Sequence, residues 1–280
     1  MSEADLHKRH AHHEGRTVHE GRAVALVPAI GRAAAILDLI ADHDGAPVSV
    51  SDLARTLHLP KSSTANLCAA LVETGFAARR DTGFVLGRKL AELGGRYLST
   101  VDEISEFYRL CRSSPLLSRE TVRASVLDGL DVLYLARHDG QPPLRLTANI
   151  GDRFPATCTA TGKAMLATLD PAVLHDRLRG VTSLPALTEK SLTSVPALLA
   201  ELEKVRAQGW AIDDEETTIG ITCFAVPVGP PGAPARFAIS VTLLSSRLGQ
   251  ELSREDLLTE LRSVAKGMTS PLTPPVRDRS

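Results

Sequence analysis

The chain has 280 residues, of which 43% are hydrophobic and 23% are charged, and its formal net charge is −1. This composition is that of an ordinary globular protein, and the absence of any run of 18 apolar residues excludes a membrane-spanning helix. The length favours two domains, and a nucleic-acid partner has to be inferred from one region, because the whole chain is nearly neutral. The four cysteines form no CxxC pair, so we expect reduced thiols and a cytoplasmic protein. They are Cys68, Cys111, Cys158 and Cys223.

The first 27 residues are polar and rich in histidine. We expect residues 1–27 to be disordered, because almost nothing in them could pack a core. They also lack the apolar centre of a secretory signal. Clustered imidazoles could bind a metal ion, but a solvated arm is the more common role of such a composition. The histidines are His7, His10, His12, His13 and His19.

The order of elements in residues 28–89 predicts a winged helix-turn-helix. A helical apolar pattern begins near Val27, and Ser51 is expected to cap a second, short helix. A break at Pro60 leads to a third helix over about 62–73. Two short strands joined by a tight turn follow as a β-hairpin, which would form the wing.

Positive charge is concentrated in this same region. Residues 54–90 contain six basic and two acidic side chains, which is the electrostatic footprint of a DNA-binding surface. An exposed helical subdomain whose charges have no function is the alternative. Small polar residues at a helix N-terminus can reach base edges and phosphates. We therefore predict DNA contacts from Ser51, Lys61, Ser62, Ser63, Thr64, Asn66, Arg79 and Arg80.

Residues 90–114 form a further helical pattern with an apolar face. Such a face on a linker helix needs a partner that buries it. A second copy of the chain is the economical partner, since operators are often two-fold symmetric. Packing on the chain's own domains is the alternative. The apolar positions are Leu90, Leu93, Tyr97, Val101, Ile104, Tyr108 and Cys111.

From Val122 onward the pattern alternates between strands and helices. This mixture predicts an α+β domain with a mostly antiparallel sheet over 115–270, followed by a tail at 271–280. The predicted strands lie near 122–126, 132–136, 144–147, 224–228 and 237–243. The predicted helices lie near 162–169, 172–178, 196–208 and 256–268.

Several strings resemble the IclR family of bacterial transcription regulators. Residues 156–167 (ATCTATGKAMLA) resemble its hatAxGKAlLA signature, and residues 205–228 resemble its iRxxGyaxDdeExxxGvxCiAaPv signature. AISV at 238–241 and LPKSST at 59–64 are also similar, in the family's order. The resemblance implies a winged-helix domain, a dimerising linker helix and a GAF-like effector domain. It also implies dimers or tetramers that control operons for the catabolism of organic acids and aromatic compounds.

The recognition helix departs from the family in one respect. Where the family usually has an arginine, this chain has ANLC at 65–68. Asn66 could instead contact an adenine through its amide. The operator sequence is therefore left open.

The resemblance also implies an effector site in the second domain. From the residues themselves, Gly162 opens a helix whose N–H groups, with Thr159 and Thr161, could hold a carboxylate; a plain loop-to-helix junction is the alternative. For the acidic run 213–216, the effector cavity implied by the resemblance ranks first, a solvated loop second and a metal site third, and no metal is assigned. The predicted effector residues are Phe154, Ala160, Thr161, Gly162, Asp213, Glu216, Cys223, Ser240 and Thr242.

An enzyme is the second hypothesis for this domain. Cys158 or Cys223 would need a nearby base, and His138 and His175 lie in no catalytic motif. The Walker pattern also fails, because it requires a glycine where the chain has Thr157. Without a cofactor fingerprint, we expect no enzyme and no cofactor. The sequence therefore predicts a cytoplasmic regulator of double-stranded operator DNA that responds to a small carboxylic or aromatic effector.

Overall fold

The computed structural model describes residues 27–141, 148–230 and 232–269. The described residues form two compact units, and the division between them falls between Tyr97 and Leu98. The histidine-rich residues 1–26, the predicted strand at 144–147 and the predicted tail at 271–280 lie outside the described residues. Within the described ranges, none of the helices combines the length and the apolar character that a membrane crossing demands.

The N-terminal unit has the helix, helix, helix, hairpin order that the sequence predicts. Its elements are α1 (Pro28–Ala41), α2 (Val50–Thr56), α3 (Lys61–Glu73), β1 (Ala77–Arg80) and β2 (Gly83–Leu86). The two strands are antiparallel. One apolar cluster joins the three helices and the hairpin. Its buried members are Ile36, Ile40, Val48, Leu53, Cys68, Leu71, Ala77 and Phe84.

The start of α2 differs from the prediction, because Ser49 and not Ser51 is the N-cap. Ser49 Oγ accepts a hydrogen bond from the backbone N–H of Asp52 at 3.2 Å and donates one to its carboxylate at 2.7 Å. The Ser49 hydroxyl group thus satisfies the backbone N–H of Asp52 at the start of the helix, and the Asp52 carboxylate in turn accepts from Ser49. Ser51 lies inside the first turn with an exposed side chain.

We expect Ser49→Ala to destabilise the N-terminal unit by about 1 kcal/mol, because it removes a capping acceptor. Ser51→Ala is the matched control and is expected to change the stability by less than about 0.5 kcal/mol. Urea denaturation of the full chain, followed by circular dichroism, measures both. An equal loss in the two variants would contradict the assignment of the cap.

The predicted linker helix is two helices. They are α4 (Arg88–Ser99) and α5 (Asp102–Ser113), and the buried Val101 lies at the break between them. No residue of α4 is buried, whereas Ile104 and Phe107 of α5 belong to the core of the C-terminal unit. The apolar face of α5 is thus covered by its own unit, which corrects the prediction of one continuous helix.

Among the described residues, the C-terminal unit is built on a six-stranded sheet, and its antiparallel arrangement is the one that the sequence predicts. The strand order is β5-β4-β3-β8-β7-β6. The strands are β3 (Thr121–Asp128), β4 (Asp131–His138), β5 (Arg153–Pro155), β6 (Ala211–Asp214), β7 (Ile221–Val228) and β8 (Phe237–Leu244). The helices are α6 (Ala160–Leu166), α7 (Pro171–Arg177), α8 (Val195–Gln208) and α9 (Arg254–Met268).

Both faces of this sheet are buried under helices. One face packs against α5 and α9, and the other packs against α6, α7 and α8. Successive residues of a strand point to opposite faces. In β8, Phe237, Ile239, Val241 and Leu243 therefore join the first core, while Ala238 joins the second. The α6 face also receives polar residues, and these define the candidate effector site.

Candidate functional site

The residues predicted to contact DNA lie mainly at the start of α3 and on the hairpin. Lys61, Ser62 and Asn66 are exposed, and Ser63 is half-buried. Ser62 and Asn66 are four positions apart, so they share one face of the helix. The first turn of α3 therefore presents a cation, a hydroxyl and an amide to solvent.

Thr64 does not belong to this surface. Its side chain is 0% exposed, and its hydroxyl donates to the backbone oxygen of Pro60 at 3.1 Å. A side chain in that position fixes the start of the helix and cannot reach a base. The prediction of a DNA contact from Thr64 is corrected accordingly.

The hairpin holds two exposed guanidinium groups. Arg79 lies over the ring of Phe84, with 5.3 Å between its guanidinium carbon and the ring centroid. Arg80 donates from Nη1 to the backbone oxygen of Gly45 at 3.1 Å. Neither the Phe84 ring nor the Gly45 carbonyl group carries a formal negative charge. These contacts therefore leave the positive charges of Arg79 and Arg80 available to a negatively charged partner.

A small cavity lies in the C-terminal unit between the sheet and α6. Its volume is about 50 Å³. All but two of the predicted effector residues line it, the exceptions being Gly162 and Glu216. The lining residues are Arg123, Tyr134, Ala148, Phe154, Ala160, Thr161, Asp213, Thr217, Thr218, Ile221, Cys223, Ser240 and Thr242.

Strand register explains why residues distant in sequence meet there. Asp213 of β6 is opposite Cys223 of β7, which is opposite Thr242 of β8. Ser240 of β8 is opposite Arg123 of β3. Residues directly opposite each other in an antiparallel pair point to the same face. The pairing thus places four strands' polar side chains under α6.

Asp213 is buried at the edge of the cavity. Burial raises the pKa of its carboxyl group. One oxygen accepts from the backbone N–H groups of Glu216 and Thr217 at 2.7 and 3.1 Å, and the other accepts from the Thr217 hydroxyl at 2.5 Å. These bonds close the loop after β6, so the carboxylate is already supplied with donors.

Gly162 serves packing and not the binding of an anion. Its N–H donates to the Thr159 hydroxyl at 3.1 Å, so this donor at the start of α6 is used within the chain. A Cβ atom at Gly162 would lie 2.2 Å from the backbone oxygen of Ala156. The close approach of two backbones explains the glycine, which corrects the sequence-based assignment.

Glu216 is the buried partner of Lys163. The Lys163 ammonium group donates to the Glu216 carboxylate, and only 1% of the lysine side chain is exposed. Burial raises the pKa of Glu216 to about 7, although Lys163 acts in the opposite direction. Neighbouring Glu215 pairs with Lys190 at 3.2 Å. The carboxylates of the acidic run 213–216 therefore contact different residues of the same chain.

Arg123 and Tyr134 are two of the six lining residues that the sequence analysis missed, the others being Ala148, Thr217, Thr218 and Ile221. Arg123 donates from Nη1 to the Thr242 hydroxyl at 2.9 Å and from Nε to the backbone oxygen of Ala148 at 3.1 Å. Its guanidinium carbon lies 5.6 Å from the Tyr134 ring centroid. The sequence does contain a signal for Arg123. In a strand, side chains alternate between the two faces, and this arginine lies between Val122 and Ala124, which predicts a charged side chain on the opposite face of the strand from these two.

The cysteines of the C-terminal unit are buried thiols. Burial raises the pKa of Cys223 to about 12 and also raises that of Cys158. Cys158 donates to the backbone oxygen of Pro185 at 3.2 Å, and the ring of His138 contacts the backbone oxygen of Ser118. A protonated thiol is a poor nucleophile, so these cysteines do not support the enzyme hypothesis.

Comparison with known proteins covers both units. Residues 29–81 match the IclR helix-turn-helix domain, and residues 96–269 match the bacterial transcriptional regulator IclR C-terminal domain. The transcriptional regulator KdgR of Escherichia coli is 31% identical over 210 residues, which are 74% of this chain and 80% of KdgR. The transcriptional repressor AllR of Salmonella typhi is 29% identical over 257 residues, which are 89% and 92% of the two chains. A crystal structure of a putative transcriptional regulator from Rhodococcus sp. has a TM-score of 0.72 and 28% identity, and the match covers 86% of this chain and 96% of that one.

Proposed function

The chain belongs to the IclR family of bacterial transcriptional regulators, and from this premise we propose that it binds double-stranded operator DNA as a dimer or tetramer under the control of a small organic effector. Its relatives are DNA-binding regulators and not enzymes. We assign DNA binding to residues 28–89 and effector binding to residues 115–270. Since bacterial operators lie in the cytoplasm, the proposal places the chain there.

The observation that carries the proposal is the exposed, cationic surface formed by α3 and the hairpin. Lys61, Ser62 and Asn66 are exposed at the start of α3, where a recognition helix meets the major groove. Asn66 offers the amide geometry that reads adenine. Arg79 and Arg80 on the wing supply phosphate contacts, which position a protein on the duplex.

Self-association is supported by the apolar side chains of α4. Leu93 and Tyr97 are four positions apart on this helix, and 41% and 54% of their surfaces are exposed. Large apolar side chains that cluster on an exposed helix face favour contact with another protein surface. A second copy of the chain would bury the same face of both helices around a two-fold axis.

The effector part of the proposal rests on the cavity under α6. Its lining combines hydroxyl groups, a thiol and a guanidinium group with the rings of Tyr134 and Phe154. Concave sites with a few convergent polar groups are the usual places for small ligands. The effector class that we propose is a small carboxylic or aromatic compound.

We expect Arg79→Ala/Arg80→Ala to weaken operator binding by about 10- to 100-fold, because two phosphate contacts are lost. The slope of log affinity against log salt should become less steep by about 1.8. Fluorescence anisotropy measures both quantities on labelled DNA from upstream of the chain's own gene. The titrations are made at about 50 and about 200 mM salt, with random DNA as competitor.

Arg179→Ala/Arg254→Ala is the matched control. It removes the same charge from two exposed arginines of the C-terminal unit, and operator affinity should change by less than about two-fold. Equal losses in the wing variant and the control would indicate a general charge effect. A wild-type chain that prefers no sequence in a genome-wide binding selection would contradict the proposed function.

A further inference from the structure

Arg123 is a buried cation whose hydrogen-bonding capacity is only partly used. It lines the cavity, and 3% of its surface is exposed. Its two acceptors, the backbone oxygen of Ala148 and the hydroxyl of Thr242, are both neutral. Nη2 is buried and has no hydrogen-bond partner among residues 27–141, 148–230 and 232–269.

The charge of Arg123 cannot be removed by deprotonation. Burial lowers the pKa of the guanidinium group, yet arginine keeps its proton at any ordinary pH. A buried charge without a counter-charge is costly. Asp213 lines the same cavity, but both of its oxygens already accept from Glu216 and Thr217. Among the described residues, the cavity therefore presents a guanidinium group with one unused donor, Nη2, whereas the Asp213 carboxylate is already supplied with donors.

We propose that Arg123 anchors the carboxylate of the effector through Nη2, and that the effector is a short organic acid. This inference rests on the proposed function and identifies the class of effector for the same site. A carboxylate oxygen is the acceptor that a guanidinium group binds most strongly, because the hydrogen bond is charge-assisted. Thr242 and Ala148 hold the guanidinium group in place for it.

The size of the cavity selects among acids. Its volume is about 50 Å³, about a third of the roughly 150 Å³ of an apolar protein cavity that binds benzene. That space suits a short acid such as acetate, glycolate or lactate. A benzoate ring exceeds this volume, so the short acid is favoured over the aromatic compound.

The test uses the full chain and four acids, each paired with its neutral amide: acetate, glycolate, lactate and butyrate. Benzoate and sulfate are added as controls for size and for simple anion binding. Isothermal titration calorimetry and the shift in melting temperature measure binding. We expect at least one short acid to bind and its amide to bind about 30-fold more weakly or not at all.

Three variants separate anchoring from folding. Arg123→Gln should weaken the binding of that acid by about 30-fold or more while leaving the melting temperature of the free protein unchanged or higher, since it removes a buried charge that has no ion-pair partner among the described residues. Arg123→Lys should restore part of the affinity, because it keeps the positive charge. Arg137→Gln is the matched control. Arg137 also donates to the Ala148 oxygen, at 3.3 Å, but does not line the cavity, so its loss should change the affinity by less than about two-fold.

The inference is overturned if no short acid binds, if acid and amide bind equally, or if Arg123→Gln binds like the wild type. It is also overturned if sulfate or benzoate binds more tightly than every short acid. Operator binding is measured by anisotropy on the same preparations. Specific DNA binding without any response to the acids would remove the anchoring role of Arg123 and leave the regulator intact, whereas loss of sequence preference in the wild type would remove the proposed function itself.

Discussion

Replacing Lys163 by methionine is expected to destabilise the C-terminal unit by about 3–5 kcal/mol, because the buried Glu216 carboxylate loses its counter-charge. Lys163 and Glu216 are both buried and form an ion pair. Breaking such a pair costs more than replacing it, since one charge remains in a medium of low dielectric constant. The free energy of unfolding, from urea denaturation monitored by circular dichroism, measures the loss.

The loss should grow with pH. The pKa of Glu216 is raised in the folded chain from an ordinary 4.5 to about 7. A raised pKa gives stability that is present below the unfolded value and is lost as the pH rises through the folded value. Without Lys163 the folded pKa rises further, so the variant loses more stability between about pH 5 and about pH 8 than the wild type does.

Two variants control this experiment. Lys204→Met breaks a pair between an exposed lysine and the half-buried Glu201 and should cost less than about 1 kcal/mol. Lys163→Met/Glu216→Gln removes both charges, and it should be more stable than Lys163→Met alone at about pH 8. If Lys163→Met were as stable as Lys204→Met, the pair between Lys163 and Glu216 would contribute nothing to the free energy of unfolding.

Gly162→Ala is expected to destabilise the same unit by about 3 kcal/mol or more, because the added Cβ has no space. It would lie 2.2 Å from the backbone oxygen of Ala156 and 2.3 Å from its Cα. Both neighbours are main-chain atoms, so the start of α6 has to move. Ala160 and Thr161 line the cavity there, and effector binding should weaken along with stability.

The matched control is Gly31→Ala in α1. A Cβ at Gly31 meets nothing within 4 Å, and alanine there should stabilise the helix by about 0.5–1 kcal/mol. Differential scanning calorimetry of the full chain measures both variants. A Gly162→Ala protein with the wild-type melting temperature would contradict the argument from close backbone packing.

Local signals predicted the N-terminal unit well. Pro60 marks the break before α3, and a tight turn between two short strands marks the hairpin. The break at Val101 was missed, because the apolar spacing continues across it while Asp102 and Glu103 begin a new helix. The strands β5 and β6 were also missed, since three or four residues are too short to display a period.

The candidate site shows a different limit. The predicted effector residues include seven of the thirteen that line the cavity. The family resemblance also placed Glu216 there, and the helix N-terminus suggested Gly162, because neither signal says what each side chain contacts. Arg123 was not predicted, because its place in the cavity depends on the pairing of β3 with β8, which puts Ser240 opposite it. That pairing joins residues 117 positions apart in the sequence, and no local pattern encodes it.

The alternation along β8 has a consequence for how such a regulator can diverge. Phe237, Ile239, Val241 and Leu243 belong to the core under α9, while Ser240 and Thr242 line the cavity on the other face. The core and the proposed effector site therefore use alternate positions of one strand. Under that proposal, a duplicated gene can acquire a new effector by changes at 240 and 242 without repacking the opposite core, so new specificity is accessible in single mutational steps.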